Sequence, residues 1–153
     1  MAKLDSIMST SVIRLSPHDS IQTLVSRLSK GSDSCAIIED NGLLIGIVTT
    51  TDIVRIFCSK KMKLSDPVFS IMSSPVTIID KQASLEQANK IMDTKTFGNY
   101  PIVETERVVG IVTHNNVVQA INDNMRFHRH LQNAVLGLFL IYALGIICYY
   151  ILL

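Results

Sequence analysis

An excess of charge of either sign is what this sequence most plainly lacks: 14 basic and 13 acidic residues leave a formal net charge of +1. No strongly basic face for nucleic acid is thereby indicated. Cysteine is scarce too. Cys35, Cys58 and Cys148 are odd in number and widely spaced, and the first ten residues carry no apolar signal-peptide core. This combination points to a reduced, cytoplasmic N-terminal part. No Cys-x-x-Cys pair occurs, and His18, His114, His128 and His130 do not join the cysteines at zinc-like spacing, so no structural metal is expected. The sequence offers no nucleophile with a neighbouring base and no glycine-rich phosphate loop, so an enzyme is not expected either. Proline stops at Pro101, and charged residues stop at Arg129.

What is present is apolar. Hydrophobic residues make up 48% of the 153 positions and the mean hydropathy is +0.34, too apolar for a disordered chain. The length allows one domain or two small ones and excludes a large multidomain enzyme. Residues 134–153 hold 18 apolar residues in 20, broken only by Gly137 and Gly145. The preceding 133 residues are then about 41% apolar, ordinary for a soluble domain. The composition mixes two phases.

The first 120 or so residues repeat at an offset of 64. Ile7-Met8-Ser9 returns as Ile71-Met72-Ser73, Val12 as Val76, and Ser20-Ile21 as Ser84-Leu85. Gly46-Ile47-Val48-Thr49 returns as Gly110-Ile111-Val112-Thr113, and Val54 as Val118. Between these anchors the register is read as shifting by one, with an extra residue near 95–100 offset by a shorter turn at 105–107. Each copy is a mixed unit. Ile21, Leu24, Val25 and Leu28 recur at helical spacing. Cys35 to Ile38 and Leu43 to Val48 are β-branched runs across an Asp40-Asn41-Gly42 turn, and Ile53, Val54, Ile56 and Phe57 return to a helix. The second copy places helix residues at Leu85, Ala88, Ile91 and Met92, strands from Tyr100 to Val103 and Val108 to Val112, and a helix from Val117. The order is strand, helix, strand, strand, helix. One such unit buries its sheet poorly, so the two are expected to pack as one α/β module.

Asp5-Ser6-Ile7-Met8 with Leu43-Leu44-Ile45-Gly46-Ile47-Val48-Thr49-Thr50-Thr51-Asp52 resembles the cystathionine-β-synthase (CBS) domain. The stretch from Phe69 to Val76, Tyr100-Pro101-Ile102-Val103 and Val108-Val109-Gly110-Ile111-Val112-Thr113 are similar to the same pattern. The fold class is thus α/β (α+β): two tandem CBS repeats, β-α-β-β-α, forming one pseudo-twofold module. The expected divisions are 1–60 for the first repeat, 61–68 for a linker, 69–124 for the second repeat, 125–133 for a basic juxtamembrane segment and 134–153 for a transmembrane helix. The resemblance implies a regulatory, non-catalytic module that dimerises into a flat disc, with no resident cofactor. Its clefts would bind an adenosine-containing ligand such as AMP, ADP, ATP or S-adenosylmethionine.

In the family pattern the Asp and Thr at the strand-to-helix junction hold the ribose, which makes Asp52 and Thr49 the first candidates, with Thr51 beside them. A carboxylate there can accept from ribose hydroxyls, and free N–H groups can meet a phosphate. Thr-x-x-Asp is equally a helix cap, and both roles can hold together. By resemblance the cleft is completed from the other repeat by Thr77, Ile78 and Asp80 and by Tyr100, Pro101 and Ile102. Tyr100 is either an adenine-stacking ring or core. The second site has Thr113 and His114, with Asn116 where an Asp is expected, and an amide lacks the carboxylate's charge-assisted strength. Lys60, Lys61 and Lys63 are either phosphate contacts or a solvated linker.

Twenty uncharged residues over 134–153 span roughly 30 Å as a helix, matching a bilayer core. Arg126, His128, Arg129 and His130 precede them, and Tyr149 and Tyr150 lie near the far end. A single-pass membrane protein with its repeats in the cytoplasm is expected, a buried core helix being the alternative. Residues 117–153 form one nearly continuous helix in this reading. The leading functional expectation is a membrane-anchored sensor that regulates an unidentified partner protein or transporter. Its alternatives are a structural adaptor without a small-molecule ligand and the front part of a larger membrane protein.

Overall fold

The computed structural model describes residues 3–31, 33–59, 62–95 and 97–152; the side chain of Ser59 and, beyond Phe139, all side chains except that of Ile146 lie outside the described set. The first repeat runs through β1 (Ile13–Leu15), α1 (Ile21–Leu28), β2 (Cys35–Asp40), β3 (Leu43–Thr49) and α2 (Thr50–Ser59). The second has β4 (Ile79–Asp80), α3 (Leu85–Asp93), β5 (Asn99–Glu104), β6 (Arg107–Thr113) and α4 (His114–Leu152). Each repeat forms a three-stranded sheet in chain order, a parallel pair followed by an antiparallel hairpin.

The offset of 64 is constant. β2 and β5, β3 and β6, and both two-residue hairpin turns superpose without insertion, which corrects the one-residue shift read from the sequence. Even the bulges coincide, at Ile38/Glu39 and Ile102/Val103. The loops of the two repeats differ in residue type and hide the register, whereas the strand ladders fix it.

Helices α1 and α3 start for the same reason. Ser20 and Ser84 accept from the N–H groups of Thr23 and Gln87, and Gln87 returns a bond to the Ser84 N–H, closing a capping box. Their apolar faces, Ile21, Leu24 and Leu28 in one and Leu85, Ala88 and Met92 in the other, are buried.

Each repeat also lends its first segment to the other. Leu4, in a short 3₁₀ turn at Leu4–Ser6, is buried among Ile79, Met92, Tyr100 and Ile102 of the second repeat. Val68, in the matching turn at Val68–Ser70, is buried with Leu15, Leu24 and Ile38 of the first. Ser9 exchanges backbone hydrogen bonds with Ile111 at 2.8 and 2.9 Å, and Ser73 with Ile47 at 2.8 and 3.1 Å. Between the sheets lie Cys35, Ile37, Ile47, Val108 and Ile111. Burial pushes the Cys35 thiol up to about 12, with Asp33 adding to the shift, so this cysteine is packing rather than chemistry.

Helix α4 is continuous over 39 residues, roughly 58 Å at 1.5 Å per residue. Val117 and Ala120 are buried against the second core, whereas Met125, Phe127, Leu131, Val135, Leu136, Leu138 and Phe139 are exposed. Among the described residues no helix is long and apolar enough to cross a membrane. The expected span over 134–153 falls largely outside the described side chains, and a transmembrane anchor gains no support from the structure.

Candidate functional site

Strand β3 ends at Thr49 and α2 begins at Thr50 with no intervening loop, so the helix N-terminus opens at the sheet edge beside the other repeat. Thr49 and Asp52 close that end. The Thr49 N–H and Oγ1–H both donate to Asp52 Oδ2, at 2.9 and 2.7 Å, and the Asp52 N–H donates to Thr49 Oγ1 at 3.3 Å. This is the capping arrangement read from Thr-x-x-Asp. Oδ2 takes both Thr49 bonds, while among the described residues Oδ1 is met by the Arg55 guanidinium alone, at 3.4 Å. Asp52 is 9% exposed, the one buried charged side chain among the described residues.

A cavity of about 490 Å³ opens over this junction. Its first-repeat wall is Ser34, Ile47, Thr49, Thr50, Thr51, Asp52 and Arg55, and its second-repeat wall is Ser73, Pro75, Val76, Thr77, Phe97, Gly98 and Asn99. Ser34 donates to Asn99 Oδ1 at 3.1 Å where the walls meet. Hydroxyls, one carboxylate, one guanidinium and one exposed ring therefore converge on a single cleft, a pattern suited to a polar ligand with a flat apolar part.

Of the residues read from the sequence, Thr49, Thr51, Asp52 and Thr77 line this cavity. Tyr100, Pro101 and Ile102 do not: all three are buried, and the Tyr100 hydroxyl donates to the Lys95 carbonyl at 3.0 Å. Tyr100 is core, and burial raises its pKa. Ile78 and Asp80 lie outside the cavity, Asp80 accepting from the Gln82 N–H at 2.7 Å. Thr113, His114 and Asn116 sit on the second repeat's junction instead: the Thr113 hydroxyl donates to Asn116 Oδ1, and His114 Nε2 lies 3.3 Å from Asp93 Oδ1. Lys60 and Lys61 lie outside the described residues, and Lys63 donates its backbone N–H to Asp66.

Sequence reasoning missed Phe97 and Arg55. Arg55 had a usable signal, since three residues after Asp52 it shares that face of a helix. Phe97 had none, because it stands in the loop between α3 and β5 without periodic context.

Two pseudo-equivalent α/β units that enclose a polar cleft between them define a tandem-repeat module with inter-repeat sites. The family model of the CBS domain matches residues 4–59 and 68–123, and the chain belongs to the CBS-domain family. It is similar to the uncharacterised protein MJ1404 of Methanocaldococcus jannaschii, 27% identical over 135 residues that cover 79% of this chain and 32% of that one. The chain thus spans about a third of that relative's length. Its fold is similar to the CBS domain pair of protein MJ0100, solved with 5′-methylthioadenosine and S-adenosyl-L-methionine, at a TM-score of 0.70 and 23% identity over 81% of this chain and 98% of that one. It is also similar to CBSX2, solved with AMP, at a TM-score of 0.68 and 20% identity over 82% and 99% of the two chains.

Proposed function

We propose that this protein is a non-catalytic regulatory module that senses an adenosine-containing ligand in the cleft at Asp52 and passes its occupancy to a partner protein or transporter. The observation that carries this reading is the Asp52 carboxylate, 9% exposed at the cleft wall, whose Oδ1 is held by a long 3.4 Å contact from Arg55. A ribose diol can take the place of that long contact with its own hydroxyl donors, and Phe97, 52% exposed at the wall, supplies a face for adenine. The adenosine compounds held by the MJ0100 and CBSX2 structures support the same class of ligand.

Calorimetry of the full chain against AMP, ADP, ATP and S-adenosylmethionine tests it. Asp52→Ala should abolish binding, but it also uncaps α2. Phe97→Ala leaves the cap intact and should weaken binding on the order of tenfold through lost stacking. Silence with all four compounds would sink the reading.

Membrane attachment through residues 134–153, with the repeats on the cytoplasmic side, and homodimerisation through the repeats belong to the same proposal. Attachment rests on composition, 18 apolar residues in 20 behind Arg126 and Arg129. The full chain should stay with membranes through alkaline extraction; release into the supernatant would remove the anchor from the proposal. A structural adaptor without a small-molecule ligand is the second reading, favoured by the exposed Met125, Phe127 and Leu131 on α4.

A further inference from the structure

The constant offset of 64 makes the second repeat an internal comparison for the first cleft. Thr49 falls on Thr113, but Asp52 falls on Asn116, Arg55 on Gln119 and Phe97 on Asp33. Each group that gives the first cleft its character is replaced: the carboxylate and the cation by neutral amides, the ring by an acid. Surroundings differ in the same sense. Both side chains accept from the threonine hydroxyl three residues before them, but Asp52 is buried whereas Asn116 is exposed.

Arg55 is the one lysine or arginine among the described residues that line the first cleft. Its side chain is 74% exposed, and the cleft-side pair that holds it, at 3.4 Å to Asp52 Oδ1, is long. An exposed pair of this kind contributes little. Once a ribose hydroxyl occupies Oδ1, the guanidinium can exchange that contact for a charge-assisted bond to a phosphate. The N-terminal end of α2, which lies in the same cleft, also favours negative charge. A sulfonium ligand meets a like charge at that position, and a neutral thioether gains nothing from it.

We propose that the first cleft alone takes ligand, one per chain, and that Arg55 makes it select a phosphorylated adenosine over neutral or cationic adenosine compounds. This rests on the adenosine reading of the cleft given above. The test is calorimetry of the full chain in mild detergent with AMP, 5′-methylthioadenosine and S-adenosylmethionine as probes. AMP should bind with a stoichiometry of one and on the order of tenfold more tightly than the other two. Arg55→Gln should erase that margin while leaving 5′-methylthioadenosine within about twofold, and high salt should narrow it. Two AMP per chain, equal affinity for AMP and 5′-methylthioadenosine, or equal weakening of both by Arg55→Gln would each overturn the inference and leave the adenosine reading standing. Binding of none of the three would overturn the inference, and silence with ADP and ATP as well would overturn that reading.

Discussion

At Gly46 and Gly110, the first residues of the repeated Gly-Ile-Val-Thr, a missing side chain makes room for the other repeat. A Cβ on Gly110 would lie 2.8 Å from Met8 Sδ and 2.9 Å from the Ser9 carbonyl oxygen, and a Cβ on Gly46 would collide with the Met72 side chain. These glycines and the repeated Met-Ser pair are two halves of one crossing. The obstacles differ in kind, however. Met72 is a flexible side chain that can turn aside, whereas the Ser9 carbonyl is held by the Ile111 N–H at 2.9 Å. Gly110→Ala should therefore lower stability by about 1–3 kcal/mol, and Gly46→Ala by less. Urea midpoints of the two variants decide this, and an equal or larger loss at Gly46 refutes it. The motif was visible in the sequence as a repeat, but the reason for its glycine was not, because the partner lies about a hundred residues away in one case.

Among the elements, the paired hairpins offer a comparison within one chain. Asn41 and Gly42 turn the first with φ of 50° and 79°, the residue types that a left-handed two-residue turn favours. Thr105 and Glu106 take the same turn with φ of 50° and 64°, and a β-branched residue there is strained. Replacing Thr105-Glu106 by Asn-Gly should raise stability on the order of 1 kcal/mol, read from the thermal midpoint; a fall would show that the turn is not strained. The same contrast explains what the sequence made legible. Asn-Gly announced the first turn, and apolar spacing announced α1, α3 and the four long strands. The second turn carries no such signature, and its ordinary residues suggested a register shift that the ladders do not contain. At the site, Thr49 and Asp52 were legible because capping and ligand contact ask for the same residue types at one helix end. Tyr100 stays between stacking ring and core in the sequence, because an aromatic at the head of a strand does not reveal which face it takes; it is buried, as is Ala36, its counterpart in the first repeat.

For the whole molecule, the exchange of first segments decides how the repeats hold together. Leu4 belongs to the first repeat in sequence but is 1% exposed inside the second core, and Val68, 0% exposed, belongs to the second repeat but fills the first core. Arg14 adds a polar tie, paired with Glu39 in its own sheet and donating to the Val108 carbonyl of the other at 2.8 Å. Neither repeat then has a complete core without its neighbour's segment, so the module should unfold in one transition rather than two. Leu4→Ala separates this interlocked design from two repeats that merely touch. It should cost about 2–5 kcal/mol, the usual range for truncating a buried leucine. If the truncation opens the second core before the global transition, amide exchange should quicken more at Ile102 and Val112, which pack in the Leu4 cluster, than at Ile37 in the first sheet. Exchange that quickens first at Ile37, or a melt that splits into two steps in the parent chain, would show instead that each repeat stands alone.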